Sequence, residues 1–173
     1  MTAYHPPMPI HRLNHAVLYV HDVARSVAFY QDVLGFRVIE DLAGLPGAAF
    51  LRAPGSTNDH DLGLFETGGN PAPRGSTGLY HLAWEVDTLA DLDELRGRLA
   101  EAGALVGASD HSTTKSLYGK DPDGIEFEIA WIVPAGALDD AARAGRSGIR
   151  PLDLDREKAR YGATTAGGIG VSR

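Results

Sequence analysis

The segment NHAVLYV at residues 14–20 returns 66 residues later as YHLAWEV at 80–86, and this repetition restricts the possible folds more than any other feature of the chain. Both segments alternate as half-buried strands do. His15, Val17 and Tyr19 point one way, with Ala16, Leu18 and Val20 opposite; in the second segment His81 opposes Leu82, Trp84 and Val86. A helical pattern follows each strand. In the first, Asp22 is placed as N-cap, Val23, Val27, Tyr30 and Leu34 follow at helical spacing, and Gly35 stops the helix. In the second, Asp87 or Thr88 caps Leu89, Leu92, Leu95 and Leu99, and Gly103 ends the run. Three short strand candidates close each pass: FRVIEDL, AAFLRAP and HDLGLFE, then ALVGASD, KSLYGKD and IEFEIAWI, with DPDG at 121–124 as the turn before the last. A βαβββ unit is thus used twice, and neither copy can bury its sheet face alone.

The expected organisation is an N-terminal arm at 1–11, a first module at 12–67, a Gly- and Pro-rich linker at 68–78, a second module at 79–133 and a C-terminal tail or arm at 134–173. That last stretch is rich in Ala, Gly and charge, with one weak helical pattern around 137–144. It reads as a solvated tail; the alternative is an arm packed over the sheet or onto a second subunit through Ile149, Leu152 and Leu154.

Composition removes several classes of function. A net charge of −7 with no clustered basic stretch argues against a nucleic-acid partner. The absence of cysteine excludes disulfides and thiolate metal sites, leaving His, Asp and Glu as ligands. With neither a signal-like h-region nor a long apolar run, the expectation is a cytoplasmic protein without membrane attachment.

Candidate ligands follow from the alternation. His15 and His81 open equivalent strands on the face turned away from the helices. In DPDGIEFEI, Phe127 and Ile129 take the buried face, so Glu126 and Glu128 share the other. Carboxylates turned into a concavity are costly without a positive partner. His15, His81 and Glu128 together make a 2-His-1-carboxylate set, suited to a divalent metal with open positions, of which iron(II) is the best-known occupant. His60 opens the last strand candidate of the first module, close to the place Glu128 holds in the second, and is either a fourth ligand or an acid/base beside the metal. His5, His11 and His21 are ordinary exposed histidines.

Residues 12–132 resemble the vicinal oxygen chelate superfamily, which includes glyoxalase I, bleomycin and fosfomycin resistance proteins, and extradiol dioxygenases. The resemblance is carried by LNHAVLYVHDVARSVAFYQDVLGF, by YHLAWEV before a capped helix, and by DPDG with a glutamate four residues after the glycine. It implies an α+β fold in which two βαβββ modules form a U-shaped, incompletely closed mixed sheet around a metal cleft, helices outside. It implies a metal on His15, His81 and Glu128: Fe(II), with Mn, Ni or Zn as alternatives. Extradiol enzymes resemble this chain further in a histidine matching His60, one matching His111 and a tyrosine matching Tyr118. Those residues imply a dioxygenase that cleaves a catechol-like vicinal diol with O2: His60 stabilises the oxygen species and returns a proton, while His111 and Tyr118 hydrogen-bond the substrate oxygens. Two features depart from the pattern. Ile125 replaces the usual asparagine of the turn, and there are two modules where the familiar extradiol enzymes carry four. The alternatives are a glyoxalase-like isomerase or lyase, which places a glutamate ligand near the position of His60, and a small-molecule-binding resistance protein. Sheet edges left by paired modules make a homodimer or higher homo-oligomer the expected assembly.

Overall fold

The computed structural model describes residues 12–40, 44–73 and 75–168; the arm at 1–11, with His5 and His11, lies outside them. The first module is β1 (Ala16–Val20), α1 (Val23–Asp32), β2 (Arg37–Val38), β3 (Ala48–Arg52) and β4 (Leu62–Glu66). The second is β5 (Leu82–Glu85), α2 (Leu89–Glu101), β6 (Leu105–Asp110), β7 (Thr114–Lys120) and β8 (Glu126–Ile132). Local chemistry sets the boundaries. The Asp22 carboxylate accepts the Arg25 amide at 2.9 Å to start α1. Thr88, not Asp87, caps α2, in a reciprocal box with Asp91. Gly35 (φ 75°) and Gly103 (φ 65°) take the left-handed conformation that ends each helix.

The strands form two mixed sheets, ordered β1-β4-β3-β2 and β5-β8-β7-β6-β9, where β9 is the short strand Arg150–Pro151, with the helices outside. In each module the first strand runs parallel to the last: β1 pairs with β4, and β5 with β8. The mixed, incompletely closed architecture with helices outside agrees with the expected α+β fold; among the described residues no ladder joins the two sheets.

The modules share a core on their helix side. Phe29 of α1 stands 6.0 Å, centroid to centroid, from Phe127 of β8, and Phe36 stands 5.1 Å from Trp84 of β5. Tyr30 donates to the carboxylate of Asp121 at 3.2 Å, and Arg25 pairs with Asp123, so α1 grips the DPDG turn. Apolar burial joins the modules back to back and leaves the histidine-bearing faces open: Leu18 and Val20 are buried, whereas Val17 and Tyr19 are 54% and 76% exposed.

The solvated-tail reading gives way. Residues beyond Pro134 form α3 (Asp140–Ala144), a two-residue strand β9 (Arg150–Pro151) on β6, and α4 (Leu154–Tyr161) against α2. Leu154 is buried and Leu152 partly so, but Ile149 is 73% exposed and anchors nothing. Burial of Trp131 explains the docking: its ring meets Tyr161 at 5.5 Å, and its indole N–H donates to the Thr165 carbonyl at 3.3 Å. A cationic link adds to it, Lys158 reaching Asp93 of α2 at 2.6 Å.

The core around Phe127 has no room for another atom. A Cβ on Gly119 of β7 would lie 2.4 Å from Phe127 Cζ and 2.7 Å from Cε2, and the ring is itself held by Phe29. Gly119→Ala is therefore expected to cost about 1–3 kcal/mol in urea unfolding through overpacking. An unchanged midpoint would mean the ring has somewhere to go.

Candidate functional site

Both leading histidines sit one residue ahead of a strand, His15 before β1 and His81 before β5, on the face away from the helices. β5 and β8 run parallel, with Ala83 opposite Glu128, and this register carries the His81 ring to the glutamate. His81 Nε2 lies 3.1 Å from Glu128 Oε2. Two donors bound side by side at about 2.1 Å to one ion stand about 3 Å apart, so this pair fits two adjacent positions of a single metal. Nδ1 of His81 is buried without a hydrogen-bond partner, and Tyr80 and Tyr118 flank the ring with centroids at 4.9 and 5.9 Å.

β7 supplies the opposite wall. Tyr118 is paired in register with Glu128, and its hydroxyl lies 2.9 Å from His111 Nε2. Burial, then the nearby Glu128 charge, raises the Tyr118 pKa above its ordinary value, so the phenol keeps its proton near neutrality. His111 is held by the turn after β6. Ser112 takes a positive φ of 67° there, and its amide donates to the buried Asp110 carboxylate at 2.7 Å.

The remaining two candidate histidines, His15 and His60, meet beside the first sheet. The His15 and His60 rings stand 4.5 Å apart, with Phe50 5.1 Å from His60. His15 Nδ1 engages the Asn14 side chain at 2.8 Å, and His60 Nδ1 the Asp59 carboxylate at 2.9 Å, so each Nε2 is left without those partners. The strand register sharpens the repeat correspondence. Val17 pairs with Gly63 and Ala83 with Glu128, so the counterpart of Glu128 in the first module is Gly63, three residues after His60. The symmetry-related place for a fourth ligand carries no side chain.

The structure therefore brings the six singled-out residues together in two groups, His15 with His60 and His81 with Glu128, Tyr118 and His111. It does not unite them. Among the described residues no cluster of three His, Asp or Glu side chains forms around one point. Within one chain the described residues therefore keep His15 apart from His81 and Glu128, because the apolar faces that bind the modules together lie opposite the faces that carry these side chains. Sequence reading also missed Ser116, whose hydroxyl donates to Glu128 Oε1 at 2.5 Å. Its place two residues before Tyr118, on the same strand face, was the available signal.

A sequence model of the Glyoxalase/Bleomycin resistance protein/Dioxygenase superfamily matches residues 12–129. The chain belongs to that superfamily. Among curated members, it is 31% identical over 134 residues to a catechol-2,3-dioxygenase of Bacillus subtilis (strain 168), covering 75% of this chain and 43% of that one. It is 33% identical over 130 residues to an iron-dependent extradiol dioxygenase of Rhodococcus jostii (strain RHA1), covering 68% and 42%. This member of the superfamily thus spans less than half the length of either relative. A solved glyoxylase/bleomycin resistance protein/dioxygenase domain from Frankia sp. EAN1pec superposes with a TM-score of 0.60 at 26% identity, covering 70% of this chain and 91% of that one. No helix among the described residues is long and apolar enough to cross a membrane.

Proposed function

We propose that the chain is a subunit of a metal-dependent extradiol-type dioxygenase, opening an aromatic ring beside a vicinal diol with O2, and that each site is completed by two copies. One copy would contribute His15 and His60, the other His81, Glu128, Tyr118 and His111. The observation that carries the reading is Gly63 standing where the second module has Glu128: by this reading His15, His81 and Glu128 are the three ligands, and the rest of the coordination sphere would stay free for substrate. The dioxygenase names of the relatives at 31% and 33% identity support the same chemistry.

A bound divalent ion, Fe(II) by this reading, would draw two adjacent substrate oxygens and O2 to one point and ease loss of a hydroxyl proton. The side chains do the rest. Tyr118, kept protonated by its surroundings, donates a hydrogen bond to a substrate oxygen, and His111 orients that phenol through its own 2.9 Å contact. His60, beside His15, gives and takes the proton on the oxygen side of the substrate. Tyr80 walls the face on which a flat ring would lie, and its 77% exposure here fits a surface awaiting cover.

Sheet edges and exposed apolar surface support the second copy. Among the described residues β1 and β5 each end their sheet, so each presents a strand edge with no ladder partner. Beside the ligand residues, Leu13, Tyr19, Leu79 and Tyr80 are exposed by 76%, 76%, 56% and 77%. A two-fold pairing that brings one copy's first module to the other's second would cover them and yield two equivalent sites.

The test is oxygen consumption. Protein loaded with iron(II) under nitrogen, then given air and a panel of catechols, is expected to take up O2 and form a yellow ring-fission product. Absence of uptake across the panel, with metal bound, would overturn the dioxygenase reading. Turnover of a hydroxy-carbonyl compound under nitrogen would favour an isomerase that enlists His60 as a fourth ligand.

A further inference from the structure

Ser116 faces the cleft from the middle strand of the second sheet, and it is fully buried. Its neighbours Lys115 and Leu117, also fully buried, point to the opposite face and lock the strand between the open cleft and the α4 side. From that fixed position the hydroxyl donates to Glu128 Oε1 at 2.5 Å, while the other carboxylate oxygen, Oε2, faces His81 Nε2. The two oxygens of one glutamate are thereby given different partners.

We infer that Ser116 is a positioning residue that holds Glu128 so that a single carboxylate oxygen, Oε2, is offered to the metal. The inference rests on Glu128 being a ligand, as argued above, and adds how it is aimed. An unrestrained glutamate rotates about three bonds and must lose that freedom on binding; it can also turn both oxygens onto one ion and fill an extra position. Occupying Oε1 with a buried donor removes both problems. The glutamate is ordered beforehand, and the position its second oxygen would take stays free for a substrate oxygen. Hydrogen bonds to a ligand's outer atom commonly change metal affinity about 10–100-fold.

The test uses the full chain freed of metal, titrated with Mn(II) under argon, with free Mn(II) followed by its paramagnetic resonance signal. Ser116→Ala is expected to weaken binding about 10–100-fold while the thermal midpoint of the metal-free protein holds. The pair Ser116→Thr and Ser116→Val controls for shape, since the two side chains differ by a hydroxyl against a methyl: threonine should bind close to the parent and valine like alanine. This pair also decides the matter if alanine does not fold. Glu128→Gln separates the two layers of the argument. If it binds Mn(II) as well as the parent, the ligand assignment of Glu128 falls. If it weakens binding but Ser116→Ala, or the Thr and Val variants compared with each other, make no difference, the assignment stands and the role of Ser116 is overturned.

Discussion

Mixing a His15→Ala chain with a Glu128→Ala chain is expected to restore ring-cleaving activity that neither has alone. In a pair built from one of each, one site takes both defects, and the other takes His15 from the Glu128 variant and Glu128 from the His15 variant. That second site is whole. Random reassociation makes half of the pairs mixed, so recovery should approach about a quarter of the parent's sites. Metal content gives the same count independently of turnover. If all ligands came from one chain, the mixture would remain as inactive as its components, and that result would remove the shared-site proposal while leaving the superfamily membership untouched. The expectation follows from the way the sheets are divided: His81 and Glu128 are already 3.1 Å apart, and no third acid or imidazole joins them among the described residues.

Replacing Lys115 by methionine is expected to cost about 3–5 kcal/mol in chemical unfolding, far more than an ordinary surface lysine, because it strands buried carboxylates. Lys115 Nζ lies 2.6 Å from Asp110 and 2.9 Å from Glu157, and all three side chains are 1–2% exposed. Arg150 and Arg156 reach the same acids from the rim. Adding Glu157→Leu should recover part of the loss, since one unpaired charge is then gone. The cluster also has a pH signature. Burial pushes the Asp110 carboxyl upward, but the Lys115 hydrogen bond, the Ser112 amide and the Lys115 and Arg150 charges outweigh it and hold the group below its ordinary 3.8. A folded value lower than the unfolded one means that this stabilisation is complete above pH 3.8 and fades as the pH drops through the folded value. Lys115→Met should flatten that acid limb. A variant as stable as the parent, with the same acid limb, would show that the cluster contributes nothing.

Much of this architecture is legible in the sequence because two copies of one pattern check each other. Asp22 and Thr88, Gly35 and Gly103, His15 and His81 each gain meaning from the partner in the other module. What the repeat cannot convey is which surfaces of the two modules meet. Phe29, Tyr30 and Phe36 look like core residues of their own module; that they also pack on Phe127, Asp121 and Trp84 is a matter of surface fit, with no periodicity to announce it. The separation of the candidate ligands into two groups follows from that packing, so it stayed hidden as well. The arm beyond Pro134 was underread for a related reason. Leu152 and Leu154 do anchor it, but its other holds are Glu157 meeting buried Lys115 and Tyr161 meeting Trp131, and neither gives the apolar spacing by which a packed helix is recognised.

If copies pair as proposed, the two-residue strand β9 bears on where their addition would stop. A sheet that takes a neighbour along β5 could in principle recruit more at its opposite margin and grow into a filament. There Arg150 and Pro151 lie along β6, both exposed. Proline has no amide hydrogen to extend a ladder and the guanidinium resists close approach, so that margin is a dead end. Under the proposed pairing, association confined to the other margin would close on itself as a finite pair.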